Sequence, residues 1–467
     1  MAVEPSARTA PPTAAAAPPD AAAILRSREY VALLVLGALV GVPVAAVAYF
    51  FLAVVAKAQQ WVFTTLPGQL GFGSTPTWWP VLPLVLCGLI VALSLTYLPG
   101  TGGHEPADGL KTGGVIEPGD LPGVAVASLA TLCLGAVLGP EAPLIAIGSG
   151  LGVLAVRLVK RDAPAQAAMV IGGAGSFAAI ATLLGSPLTG AFLLMEAVGL
   201  GGALLGAILV PGLLAAGIGA LIFVGLDGWT GLGTFTLAVN GLPAADTPTV
   251  TEFLWAVVIG VVAALFGTLV HRGARSLQPH VAAHRLLITP ALGLAVGLCA
   301  VAFELLTDKG SKYLLFSGQS ALPTLVDQAS TWTVGALLAL LVLKGLAYSL
   351  SLSGFRGGPV FPGMFLGAAL GVLMSHLPGL SLVAAVGIGI GAMTVSMLGL
   401  PLVSVLLPSL LLASDAVVIM PLTIVGVVTS YVVSARLTPL PTPAPAAPTD
   451  RDGPDDGPGH PVVDNSD

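Results

Sequence analysis

Glu141 is the only charged side chain between Asp120 and Arg157, and it stands inside the pentapeptide Gly139-Pro140-Glu141-Ala142-Pro143. An acid set in a long apolar stretch is costly to keep and is usually functional. Its neighbours suggest what it works on. Proline suits the first turn of a helix, and glycine lets backbone approach a ligand closely. The free N–H groups and the positive end of the helix dipole then face the ligand, which makes such a terminus an anion site. There a carboxylate either complements the dipole or competes with an external anion, holding the site when ionised and leaving it when protonated.

The chain repeats this device. Gly358-Pro359-Val360-Phe361-Pro362, with Gly367 and Gly371, fits the same G-P-x-x-P-x4-G-x3-G pattern as Gly139 to Gly152, at an offset of 219 residues. A second match follows each: Gly173, Gly175, Ala178, Gly185, Pro187 and Leu188 correspond to Gly387, Gly389, Ala392, Gly399, Pro401 and Leu402, at an offset of 214. Two matches in one order at nearly one offset indicate duplication. Transporters built from two related halves place substrate where their interrupted helices meet, near the membrane midplane. Backbone donors from two such termini hold an anion without a buried Lys or Arg that would trap it.

Other chemistry-bearing residues are few. Glu196 is the only charged residue between Asp162 and Asp227 and serves either as a proton relay or as a structural acid bonded to backbone. Thr101 lies in the turn Gly100-Thr101-Gly102-Gly103, followed by His104-Glu105, and Asp108 stands where a zinc helix needs its second histidine. His104 either tunes a pH response or fills a turn. His280 and His284 are spaced i,i+4 but lack a third ligand. No metal, no cofactor and no nucleophile–base pair is expected, so the chain does not read as an enzyme.

The elements that position these residues lie in a bilayer. Of 467 residues, 55% are hydrophobic and 9% charged, against about 25% charged in soluble domains. That excludes a water-soluble enzyme and intrinsic disorder alike. The formal charge of −6 is mostly the tail, where residues 450–467 hold six aspartates and one arginine, so there is no basic field for nucleic acid. Apolar runs near 30–56, 78–98, 122–138, 140–156, 165–183, 187–225, 253–270, 287–306, 332–351, 359–376, 381–398 and 400–434 predict an all-α polytopic protein. Several are short or cut by Gly and Pro, as in broken helices that line a cavity. The expected organisation is an Ala/Pro-rich disordered tail over 1–23, a transmembrane domain over 24–436, with repeats near 30–226 and 253–436, and a disordered Pro/Asp-rich tail over 437–467. Basic clusters at Arg26/Arg28, Arg157–Arg161 and His271–Arg285, against an acidic 227–252 connection, put the N-terminus in the cytoplasm of a multi-pass cell-membrane protein.

Taken in order, these motifs resemble the CLC family of chloride channels and chloride–proton antiporters. Gly100-Thr101-Gly102-Gly103-His104-Glu105 resembles the family's G-S-G-I-P-E, Gly139–Pro143 its G-R-E-G-P, and Gly357–Pro362 its G-G-x-F-x-P. Pro187–Gly190 through Glu196 is similar to its P-L-x-G element. The resemblance implies a CLC-type fold of two inverted structural repeats with many tilted and broken helices. It also implies a homodimer in the lipid bilayer, with one anion pathway per subunit. By position, Glu141 takes the gating role. Thr101, Gly102 and Gly103, with Gly139, Pro140, Ala142, Gly358, Pro359, Val360, Phe361 and Pro362, form the anion site, and Glu196 and His104 are candidate proton relays. Pro140 stands for the family's Arg, His104 for its Pro, and Val360 where Phe is frequent. Ala197 replaces the antiporters' inner glutamate, and Tyr431 falls too early for their coordinating tyrosine. The expected substrates are small inorganic anions, chloride foremost, moved by a channel or weakly coupled exchanger rather than a strict proton antiporter. The competing expectation is a carrier of another solute on a different two-repeat fold.

Overall fold

A computed structural model describes residues 26–110, 116–199, 202–232, 245, 247–412 and 415–438. The two tails, apart from Leu437 and Thr438, and half of the 227–252 connection lie outside these residues. Fourteen of the helices in the described residues are labelled here. They are α1 (Arg28–Gln60), α2 (Val81–Tyr97), α3 (Leu121–Cys133), α4 (Glu141–Val159), α5 (Ala165–Leu184), α6 (Pro187–Val198) and α7 (Gly202–Thr230). Next come α8 (Val250–Ala283), α9 (Arg285–Thr307), α10 (Val334–Gly354), α11 (Val360–Met374), α12 (Leu382–Leu398), α13 (Pro401–Leu412) and α14 (Ala416–Leu437). Among the described residues eight helices are long and apolar enough to cross a membrane, and α2, α6, α11, α12 and α13 are apolar but shorter. The apolar runs expected at 187–225 and 400–434 are each two helices. The first breaks at Gly199, a left-handed helix cap with φ 64°.

Packing repeats with the sequence. α4 packs on α5 as α11 packs on α12, α5 on α7 as α12 on α14, and α1 on α7 as α8 on α14. Two pairs, α2 with α9 and α6 with α13, join an element to its own counterpart. The repeat glycines lie at the crossings. A Cβ on Gly148 would meet Gly175, and one on Gly152 would meet Ile171 and Gly172; on Gly367 it would meet Gly389 and Ile390, and on Gly371 Ala385 and Val386. Applying the two offsets carries one set of contacts onto the other. The self-pair obeys the same rule, since Gly88 packs on Thr289 while Gly293 packs on Leu84. Glycine is required here because the backbones approach too closely for any side chain, the usual device where lipid offers no hydrophobic drive between helices.

These self-pairs identify a pseudo-two-fold axis between the halves. At its centre Gly139 and Gly358, equivalent under the 219-residue offset, form an isolated antiparallel bridge. Each donates its N–H to the other's carbonyl, at 2.8 and 2.6 Å. Because equivalent residues pair antiparallel, the helices that follow start nose to nose and run in opposite directions. The fold is therefore all-helical with two inverted repeats.

Candidate functional site

Pro140 and Pro359 are the N-caps of α4 and α11, each in the αR region. Proline at the third position of each helix (Pro143 and Pro362) leaves the N–H groups of Glu141 and Ala142, and of Val360 and Phe361, as first-turn donors without a backbone partner inside their own helix. The geometry joins these termini through a side chain. Glu141 is wholly buried, and its Oε1 accepts the backbone N–H of Phe361 at 2.7 Å. Oε2 is buried with no hydrogen-bond partner among the described residues. A Cβ on either Gly139 or Gly358 would fall on the carboxylate oxygens, so both glycines are fixed by the acid they cradle.

The two linkers that present these helices are tied down on both sides. Val137 donates its N–H to Ser351 Oγ at 3.1 Å, and Arg356 donates its own to Thr131 Oγ1 at 3.3 Å. Tyr348 on α10, buried, donates its hydroxyl to the Pro359 carbonyl at 2.7 Å, orienting the α11 cap. One turn earlier, Lys344 is fully buried with Nζ 2.8 Å from the Leu314 carbonyl and 3.0 Å from that of Tyr313. The carbonyls of Leu315 and Phe316 follow at 3.3 Å, and the Phe365 ring of α11 lies 4.4 Å from Nζ. Phe316 in turn donates its N–H to Gly135 at the start of the Glu141 linker. The ammonium thus clamps a loop that supports both site helices.

Gly139, Glu141, Ala142, Gly358 and Phe361 converge on the bridge; Val360 is buried beside them, and Pro140, Pro359 and Pro362 set the helix starts. Thr101, Gly102 and Gly103 occupy a separate turn whose φ angles, with Gly100, run 80°, 47°, 70° and 87°. Thr101 is exposed, and its carbonyl accepts Arg356 Nε at 3.2 Å. His104 is exposed in the same turn. Glu196 lies elsewhere still: Oε1 and Oε2 accept the N–H groups of Leu402 and Val403, each at 2.9 Å, capping α13.

Three site-supporting residues escaped the sequence reading, which takes buried basic side chains to be scarce and looks for a tyrosine only near the C-terminus. Lys344 and Arg356 are both buried. Lys344 is the only charged residue between Asp327 and Arg356; the isolation that singled out Glu141 could have found it. Tyr348 carries no such signal, being one aromatic residue in an apolar helix.

Inverted repeats, broken helices and two opposed helix starts holding one acid are the architecture of a membrane transport protein. Residues 105–435 match the model of the voltage gated chloride channel family, and the chain belongs to that family, whose members are anion channels and anion–proton antiporters. A protein named YfeO from Escherichia coli O7:K1 (strain IAI39) is 28% identical over 359 residues, covering 76% of this chain and 81% of its own. A slow cyanobacterial Cl−/H+ antiporter has the same fold, with a TM-score of 0.71 at 20% identity, over 87% of this chain and 94% of its own. So does a CLC-type fluoride/proton antiporter, with a TM-score of 0.64 at 23% identity, over 88% and 96%. The family match does not favour a carrier on a different two-repeat fold.

Proposed function

We propose that this chain carries small inorganic anions, chloride foremost, across the cell membrane through the facing starts of α4 and α11, with Glu141 as gate. The observation that supports this reading is the position of the carboxylate. Its Oε1 takes the Phe361 N–H at 2.7 Å, the donor a permeating anion would use, so side chain and anion compete for one place. Protonation removes the charge that holds the carboxylate there, and the site opens to the anion. In this reading Thr101, Gly102 and Gly103, in the turn whose carbonyl meets Arg356, also serve the anion.

The transport mode is a channel or weakly coupled exchanger. Glu196 has both oxygens engaged in capping α13, and Ala197 follows it, so neither position offers an idle inner acid. The chain works as a homodimer with one pathway per subunit and its N-terminus in the cytoplasm; its repeats span about 30–226 and 253–436. The test is flux from proteoliposomes. Chloride efflux is expected in the wild type and in Glu141→Ala, with little or no proton uptake under a valinomycin clamp. Stoichiometric chloride-driven proton uptake would favour the antiporter mode instead. No movement of chloride, fluoride or nitrate would overturn the assignment.

A further inference from the structure

Lys344 is 0% exposed, and among the described residues no carboxylate pairs with it. Its Nζ faces acceptors alone: the carbonyls of Tyr313, Leu314, Leu315 and Phe316 at 3.0, 2.8, 3.3 and 3.3 Å, and the Phe365 ring at 4.4 Å. A neutral amine would turn its lone pair on one of these oxygens or on the negative face of the ring. Ammonium has only donors, so the cage specifies the charged form. Four successive carbonyls turned inward on one charge are the coordination of a bound monovalent cation, here tethered to α10. Phe316 closes the cage at φ 59°, a left-handed conformation uncommon for a bulky residue and held only where its surroundings fix it.

A buried ion without a partner is costly unless a charge of opposite sign lies within reach. Among the described residues Glu141 is the one acid with no exposure at all, and two contacts lead to it from Lys344. Phe365, under the ammonium, is one turn along α11 from Phe361, whose N–H takes the carboxylate. Tyr348, one turn along α10 from Lys344, bonds the Pro359 carbonyl at the α11 cap. Helical turns of about 5.4 Å put the ammonium on the order of 10 Å from the carboxylate.

We infer that Lys344 is the fixed counter-charge of the transport site, a tethered monovalent cation in a carbonyl cage of residues 313–316 whose charge sets the affinity of the Glu141 site for anions without touching them. With Glu141 ionised, the ammonium balances the carboxylate; with Glu141 protonated and displaced, it balances the entering anion. Its donors are all engaged by carbonyls, so it attracts the anion but cannot close on it and hold it back. Unit charges about 10 Å apart at an effective dielectric constant of about 20 alter a binding constant by roughly tenfold.

This inference rests on the anion-transport reading and is tested separately from it. Chloride efflux from proteoliposomes is measured against chloride concentration, so that half-saturation is read apart from maximal rate, on protein shown to be folded by its unfolding midpoint. Lys344→Gln keeps amide donors for the cage and removes the charge, and should raise half-saturating chloride by about tenfold. Lys344→Arg keeps the charge and distorts the cage, so half-saturation should stay within about threefold of wild type even where the unfolding midpoint falls. Lys344→Ala empties the cage, and ammonium sulfate should restore most of the lost affinity, whereas the bulky cation N-methylglucamine, as sulfate at equal ionic strength, should not. Half-saturation within about twofold of wild type in Lys344→Gln, or equal shifts in the Gln and Arg variants, overturns the counter-charge and leaves Lys344 a loop clamp. Should Lys344→Gln not fold, the two cations compared on Lys344→Ala decide, equal effects overturning it. A wild type that moves no anion sinks the transport reading instead, so the two failures are distinguishable.

Discussion

Truncating Glu141 to alanine should tighten anion binding and uncouple it from pH. In the structure the carboxylate takes the Phe361 N–H at 2.7 Å, a charge-assisted hydrogen bond in a fully buried setting. Bonds of that class contribute about 1.5–3 kcal/mol, which converts to about 10–150-fold in competition for the shared donor. Glu141→Ala should therefore lower the half-saturating chloride concentration at neutral pH by roughly that factor. Glu141→Gln keeps a neutral acceptor in place, about half as strong, so its gain should be smaller. The sign of the pH effect follows from the same contact. A proton neutralises the carboxylate, weakens its hold on Phe361 and frees the donors, so wild-type flux through this gate should rise as pH falls. Acidified wild type should approach the Gln variant, and neither variant should retain the gate's pH dependence. Chloride efflux at several pH values, with calorimetric titration of detergent-purified protein, measures both effects. A folded Glu141→Ala protein with no anion flux, or with wild-type affinity and an unchanged pH profile, would refute the gate.

Further outcomes follow from other contacts. Gly358→Ala places a methyl group on the Glu141 carboxylate, so the acid should be displaced and flux should resemble that of Glu141→Ala; an intact pH response would contradict this. Lys344→Met leaves four buried carbonyls without their ammonium donor and should cost about 3 kcal/mol or more of stability, read as a lowered unfolding midpoint. Glu196→Ala removes the α13 cap and should destabilise by about 1–2 kcal/mol while chloride flux and its proton ratio stay unchanged; altered proton movement would instead indicate a relay. Gly367→Ala would press a methyl group into the Gly389–Ile390 backbone, and little folded protein should be recovered.

The sequence by itself determined the class of fold, because composition and run length report directly on a bilayer, and it determined the duplication. The two offsets are legible because helix crossings at backbone distance admit only glycine, so the packing is written into the positions of Gly148, Gly152, Gly367 and Gly371. Glu141 was legible for a similar reason: an isolated charge in apolar surroundings has a high free-energy cost and needs an explanation. The tertiary structure alone decided what that acid touches. Nothing in the spacing says that its oxygen meets the Phe361 amide 220 residues away, or that Gly139 pairs with its own counterpart. Tyr348 and Arg356 became meaningful only once α10 and the second linker were folded against the site, since a hydroxyl and a cation each aimed at a carbonyl have no periodicity to betray them. Glu196 shows the limit most plainly. Its isolation matches that of Glu141, yet one carboxylate lies between two opposed helix starts and the other caps a single helix, and only the packing of α6 on α13 separates the two roles.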